Sequence, residues 1–403
     1  MDKLDLMKKL SRETKSKILM LVMDGLGGLP AKELGGKTEL EAAQKPNLDR
    51  IAQSSALGLH EPISLGITPG SGPAHFGIFG YNPIKWNMGR GVLETLGIGF
   101  ELKHGDIAVR TNFCTLGADG RISDRRAGRI PTKECARLSE ILDKKVKLQG
   151  VKTFVRAVRD YRGALVLRAK GLGPNVDDTD PQVTGAKPLP AVGKDAASRR
   201  TAKLLNEFVK QAHRVLRDEH PANGLLLRGI STYQPYPTFK EIYKLRAACI
   251  AVYPMYRGVS RLVGMDLIGQ PETLDEELDL LEKSWADYDF FFMHYKYTDS
   301  RGEDGNVAGK VAEIEKVDKV LPRILKLNPD VLIITGDHST PTQLKSHSWH
   351  PVPLLMRSPS FRAGNEGKFG ETDCAKGVIG LIKSTDIMPL AMAHAGKLLK
   401  FGA

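Results

Sequence analysis

One short stretch constrains the fold more than any other. Val331, Leu332, Ile333, Ile334 and Thr335 form a β-branched apolar run that stops on Gly336, Asp337 and His338. A run this short and this apolar reads as a strand buried on both faces, as in a parallel sheet covered by helices. Open sheets of that kind gather ligands at the carboxyl ends of their strands, where Asp337 and His338 stand. His347 follows a little further on. An acid with imidazoles supplies the hard oxygen and borderline nitrogen donors that zinc or manganese accepts. An N-cap aspartate beside a surface histidine fits the same text equally well.

The pattern occurs twice more. Ile18 to Met23 ends on Asp24 and is followed by Gly25, Gly27 and Gly28. Glycines there admit a sharp turn or a close ligand, but the G-x-G-x-x-G spacing of a dinucleotide site is absent. Phe290 to Met293 leads through His294 to Asp299 and Glu303. Four residues apart, these carboxylates can reach one ion from a loop or a first helical turn. Ser71 lies in a turn crowded with Gly and Pro, immediately before a predicted helix, so its hydroxyl is expected to be exposed near amide donors that favour an anion. It fits a simple turn former, and no neighbouring base would activate it as a nucleophile. A metal ion would remove the need for one by lowering the hydroxyl's pKa.

With 403 residues the chain exceeds one small core, which predicts two domains or one domain with a large insertion. From Asp106 to about residue 240 acid-terminated strands are missing and arginine is abundant. Arg125, Arg126 and Arg129 share a turn-like cluster; Arg156, Arg159, Arg162 and Arg168 flank a strand-like Ala164 to Leu167; Asp177, Asp178 and Asp180 follow in a loop. Guanidinium groups clamp carboxylate and phosphate in pairs, so the region suits a phosphorylated acid, although solvated surface charge explains any single arginine. Residues 195–220 and 307–325 are predicted helices. The expected division is a discontinuous core, 1–105 and 241–403, with an inserted substrate-binding cap, 106–240.

The net charge of +12 suits a small polyanionic substrate. No basic low-complexity arm, zinc finger or RNA-binding motif accompanies it, so no nucleic-acid partner is expected. No apolar run approaches a membrane span, and Ile18 to Met23 is too short for a signal-peptide core, so a soluble cytoplasmic enzyme is expected. Cys114, Cys135, Cys249 and Cys374 are scattered, without a C-x-x-C pair, and are expected to be buried thiols. Oligomeric state is left open by the text.

Asp24, Ser71, Asp299, Asp337 with His338, and His347, in that order, resemble the alkaline phosphatase superfamily. More narrowly, the chain resembles the archaeal-type cofactor-independent (2,3-bisphosphoglycerate-independent) phosphoglycerate mutases. The likeness also rests on Pro46 to Asp49, Pro69 to Ser71 with Gly80 to Pro83, Arg110 with Asn112, Asp124 to Arg129, Asp178 to Pro181, and Pro351 to Pro353. It spans nearly the whole chain. It implies an alkaline-phosphatase-like, mostly parallel α/β sheet flanked by helices, with a smaller inserted α+β domain. It implies an isomerase of glycolysis and gluconeogenesis that interconverts 3-phosphoglycerate and 2-phosphoglycerate through a phosphoserine intermediate on Ser71. Two divalent ions, of manganese, zinc or magnesium, are implied: one on Asp24, Ser71, Asp337 and His338, the other on Asp299, His347 and Glu303, which stands where the family usually has histidine. Gly72 stands where aspartate commonly follows the serine. Arg110, Arg126, Arg129, Arg162 and Arg257 are the expected carboxylate and phosphate contacts, with Asp178 near the hydroxyls. A phosphatase or other phosphomutase of the superfamily, or a silent binding homologue, is the competing expectation.

Overall fold

The computed structural model describes residues 2–86, 89–361 and 367–402. The chain divides into two compact units. The first comprises Met1–Asn87, Pro237–Tyr253 and Val263–Ala403, and the second Met88–Tyr236 and Pro254–Leu262. In chain order, β1 (Ile18–Met23) and β2 (Ala56–Glu61) belong to the first unit. The second holds β3 (Ile107–Leu116), β4 (Ile122–Asp124), β5 (Lys152–Arg159), β6 (Arg162–Arg168) and β7 (Gly224–Thr232). The first resumes with β8 (Ala247–Ala251), β9 (Asp266–Leu267), β10 (Phe290–Tyr295), β11 (Val331–Thr335), β12 (Val352–Arg357) and β13 (Gly380–Lys383).

The first unit is built on an eight-stranded sheet of order β13-β2-β12-β11-β1-β10-β8-β9. Only β12 pairs antiparallel to its neighbours, so the sheet is mostly parallel, as expected. The acid-terminated strands are its centre: β1 lies between β10 and β11, and all six residues of β1 are buried. Two-sided burial explains why these strands are apolar throughout rather than alternating. In the Val307–Lys326 helix, Ile314, Val317, Leu321 and Ile324 recur at helical spacing. They pack in one core with Leu19, Leu21, Phe291 and Ile334.

The second unit carries a five-stranded sheet in which β3 pairs antiparallel with β4, β6 and β7, and β5 with β6. The Thr132–Lys145 and Ala196–Val215 helices contribute Leu138, Leu142, Leu205 and Phe208 to a separate core with Val109, Leu165 and Leu225. Asp195 caps the longer helix by accepting from the Ser198 amide, and the helix stops at Val215, short of the expected 220.

The domain limits differ from those read in the text. Residues 89–105 and 254–262, expected in the core domain, pack with the second unit. The Arg90–Gly97 and Pro254–Leu262 helices cross where a Cβ on Gly258 would stand 1.7 Å from the Leu93 carbonyl oxygen. Only contact in space reveals that the 254–262 segment belongs to the second unit. Among the described residues no helix is long and apolar enough to cross a membrane. All four cysteines are buried, as expected.

Candidate metal centre

The register of the central strands creates the site. Val22 of β1 lies opposite His294 of β10 and Thr335 of β11, so the residues leaving the three strands emerge together. Asp24 follows β1, Asp337 follows β11, and the Tyr297–Asp304 helix that follows β10 carries Asp299 and Glu303. The glycine after Asp24 is required: Gly25 has φ +61°, and its amide donates to Asp337 Oδ1 at 3.1 Å.

Two groups of donors result. One oxygen each of Asp24 and Asp337 and a nitrogen of His338 lie within 4.8 Å of one another; so do donor atoms of Asp299, His338 and His347. His338 Nε2 is 3.4 Å from Asp24 Oδ1 and 3.2 Å from Asp337 Oδ2. His347 Nε2 is 3.7 Å from Asp299 Oδ1 and 3.9 Å from Glu303 Oε1. The two imidazoles stack with centroids 3.6 Å apart. Glu303 is the outlying member, with its side chain 56 % exposed and no place in either compact triad.

Ser71 is the first residue of the Ser71–Ile78 helix, one position further in than the expected turn, and Gly70 is the N-cap. Its Oγ is 3.5 Å from His338 Nε2. The hydroxyl therefore stands at a helix N-terminus, where free amides favour a developing negative charge.

The donor chemistry fits cations. The Pro69 carbonyl, 2.9 Å from His347 Nδ1, can only accept, so that nitrogen carries the proton and Nε2 presents a lone pair to the carboxylates. Burial holds His338 neutral, its pKa pushed down to about 3, and His75 likewise to about 4. Burial and the neighbouring Asp24 carboxylate push Asp337 well above the usual carboxylate range. Its Oδ2 accepts no hydrogen bond among the described residues. Buried carboxylate oxygens and imidazole lone pairs aimed at one another repel unless a cation lies between them.

Several members of the site were not foreseen. The Lys296 ammonium bridges Asp24 Oδ2, at 2.9 Å, and Asp299 Oδ2. Its position three residues before Asp299 was the available signal. His75 reaches back one helical turn to the Ser71 carbonyl at 2.7 Å and lies 3.3 Å from Asp337 Oδ2. Thr340 and Lys310, described below, gave no signal beyond the hydroxyl close after His338.

The expected substrate residues all lie in the second unit. Arg110 is buried, with Nε 3.2 Å from Asn112 Oδ1 and 3.4 Å from Glu94 Oε1. Arg162 lies over the Tyr161 ring, and Arg257 is buried in its helix. Arg126 and Arg129 are exposed on a turn whose amides are held by Asp124. Asp178 accepts from the Gly229 amide at 2.8 Å. Arg125, not among the expected contacts, forms a two-pronged pair with Asp180 at 2.7 and 3.0 Å.

A mostly parallel α/β sheet that brings two carboxylate and imidazole clusters to its strand ends beside a serine in the first turn of a helix defines an α/β protein with a candidate two-ion centre. Comparison with known proteins gives the particular family. Residues 52–223 match the family described as 2,3-bisphosphoglycerate-independent phosphoglycerate mutase. A probable 2,3-bisphosphoglycerate-independent phosphoglycerate mutase of Thermus thermophilus is 49 % identical over 407 residues, and one of Thermotoga maritima 48 % over 404, each match covering 100 % of both chains. Among solved structures, the PH0037 protein from Pyrococcus horikoshii is similar with TM-score 0.83 and 32 % identity, over 97 % of this chain and 100 % of that one. The cofactor-independent phosphoglycerate mutase from Thermoplasma acidophilum gives TM-score 0.69 and 29 % identity, over 95 % and 100 %. The chain belongs to the 2,3-bisphosphoglycerate-independent phosphoglycerate mutase family.

Proposed function

We propose that this chain interconverts 3-phosphoglycerate and 2-phosphoglycerate through a phosphoserine on Ser71, at a centre for two divalent ions. The observation that carries the reading is the placement of Ser71 Oγ 3.5 Å from His338 Nε2, at the edge of the Asp24, Asp337 and His338 cluster. Asp24, Ser71, Asp337 and His338 would hold one ion; Asp299, His347 and Glu303 would hold the other. The carboxylate of Glu303 adds a hard donor that suits manganese or magnesium as well as zinc. When bound, the ions supply Lewis-acid polarisation of the phosphoryl oxygens and lower the pKa of the serine hydroxyl.

The protein's own groups do the rest. Ser71 Oγ attacks phosphorus in line; the Oγ–P bond forms as the glycerate O–P bond breaks. The proton given up by Ser71 is balanced by the one the departing glycerate hydroxyl gains. The second half reverses the exchange at the other hydroxyl, so the net change is isomerisation with no water consumed. The helix N-terminus that presents Ser71 favours the developing oxyanion. Arg110, Arg126, Arg129, Arg162 and Arg257 are assigned to the substrate's carboxylate and phosphate, with Asp178 near its hydroxyls. Arg126 and Arg129 offer the most accessible guanidinium groups.

Phosphorus NMR of 3-phosphoglycerate incubated with manganese-loaded protein tests the reading. The expected result is a growing 2-phosphoglycerate signal that matches the loss of substrate. Inorganic phosphate without 2-phosphoglycerate would overturn it in favour of a phosphatase.

A further inference from the structure

Thr340 stands between the two donor groups. Its hydroxyl donates to Asp299 Oδ1 at 2.7 Å and lies 3.0 Å from His338 Nδ1. A hydroxyl has one proton to give. Having given it to the carboxylate, Thr340 meets His338 as an acceptor, so Nδ1 must carry the imidazole proton. Nε2 then points a lone pair at Asp24 and Asp337. One side chain thus selects the tautomer of a member of the first group and holds a carboxylate oxygen of the second.

The residue is itself held firmly. Its amide donates to the Gly27 carbonyl at 3.0 Å. The Lys310 ammonium, fully buried on the Val307–Lys326 helix, donates to the Thr340 carbonyl at 2.8 Å and to the Gly27 carbonyl at 3.0 Å. The loops that leave β1 and β11 are therefore tied to one cation. Packing leaves no slack around them: a Cβ on Gly25 would come 2.4 Å from Thr340 Oγ1, and one on Gly302 would come 2.4 Å from the Thr340 carbonyl oxygen.

We propose that Thr340 is a positioning residue that couples the two ion sites, its hydroxyl orienting His338 for one and Asp299 for the other. The inference rests on the two-ion reading above. A hydroxyl that served only one site would weaken one ion when removed; a coupling hydroxyl weakens both. Partners of metal ligands commonly change affinity by about 10–100-fold when lost.

Calorimetric titration of the metal-free full-length chain with Mn²⁺ distinguishes these cases. Wild type is expected to take up two ions. Thr340→Val keeps the shape and loses the hydroxyl, and both affinities are expected to fall by about 10–100-fold. Thr340→Ser restores the hydroxyl and is expected to recover most of the affinity at both sites. A purely structural role for Thr340 would instead lower the thermal midpoint of the metal-free protein and leave the affinity pattern unchanged. Should Thr340→Val fail to fold, Thr340→Ala carries the same comparison with serine. Wild-type affinity in the valine variant, weakening of one ion alone, or equal losses in valine and serine variants would each overturn the coupling. If wild type takes up no ion, the two-ion reading falls, and the coupling with it.

Discussion

His338 and His347 show how much one atom decides. In each, Nδ1 is occupied by a partner that fixes the proton there, Thr340 in one case and the Pro69 carbonyl in the other. Each Nε2 thereby keeps its lone pair, which faces the clustered carboxylates. On the proposed reading, Ser71 is the residue on which the chemistry depends. Ser71→Ala is expected to lower kcat by at least about a thousand-fold while most of the metal remains bound, because two carboxylates and an imidazole still hold the ion beside it. Steady-state rates with metal analysis on the same preparation check this. His60 offers a different test. Its Nε2 donates to the Gly336 carbonyl at 3.1 Å, while Nδ1 is buried without a hydrogen-bond partner among the described residues. Burial pushes its pKa down from 6.5 to about 4. In the unfolded chain His60 takes up a proton near its ordinary value, whereas the native residue does not until the pH is far lower. Stability from this residue is therefore complete above about pH 6.5 and lost as pH falls towards 4, amounting to about 3 kcal/mol. His60→Gln is expected to flatten that part of the stability profile in urea melts between pH 4 and 7.

At the scale of elements, strand register and helix crossings place the groups. Asp24, Asp299 and Asp337 were legible because each follows an apolar run, and a buried strand must end where polar residues begin. Their convergence depends on β1 lying between β10 and β11, an order that hydrogen bonding between distant segments decides. The crossing of the Arg90–Gly97 and Pro254–Leu262 helices is equally non-local. A Cβ at Gly258 would meet the Leu93 carbonyl at 1.7 Å, and one at Gly97 would meet the Pro254 carbonyl at 1.8 Å. Replacing a helical glycine by alanine ordinarily gains about 0.5–1 kcal/mol. Here overpacking against backbone outweighs that gain, and Gly258→Ala is expected to destabilise the protein by about 1–3 kcal/mol. Equilibrium unfolding in urea would show the lower midpoint; unchanged or raised stability would contradict the close crossing.

For the whole molecule, the clustered buried carboxylates are expected to make the first unit's stability depend on cations. Asp24, Asp299 and Asp337 are each at most 2 % exposed, and Lys296 bridges the first two. Free metal at 100 times its dissociation constant stabilises a native protein by about 2.7 kcal/mol per site. Manganese is accordingly expected to raise the melting temperature, and a chelator to lower it reversibly, in differential scanning calorimetry of the full chain. Calorimetric traces insensitive to both additions would count against the two-ion centre. The division into units belongs to this scale too. The change near residue 106 to arginine-rich sequence without acid-terminated strands led to the expectation of an insertion. The second compact unit also takes in residues 89–105 and the 254–262 helix: the Arg90–Gly97 helix packs against both β3 and the Pro254–Leu262 helix.

By itself the amino-acid order determined the α/β class and the acid-tipped strands, and it singled out Asp24, Ser71, Asp299, Asp337, His338 and His347 as candidates, with the nucleophile role of Ser71 and the ligand sets implied only by the family resemblance. The acid-tipped strands are a local signal: a buried strand must be apolar, and polar residues begin where it ends. Tertiary structure alone decided which candidate donors lie together, which imidazole nitrogen faces the carboxylates, and the contacts of Lys296, Lys310 and Thr340. Those outcomes turn on hydrogen bonds between atoms far apart in the chain, such as Lys310 with Gly27, and no spacing rule along one dimension encodes them.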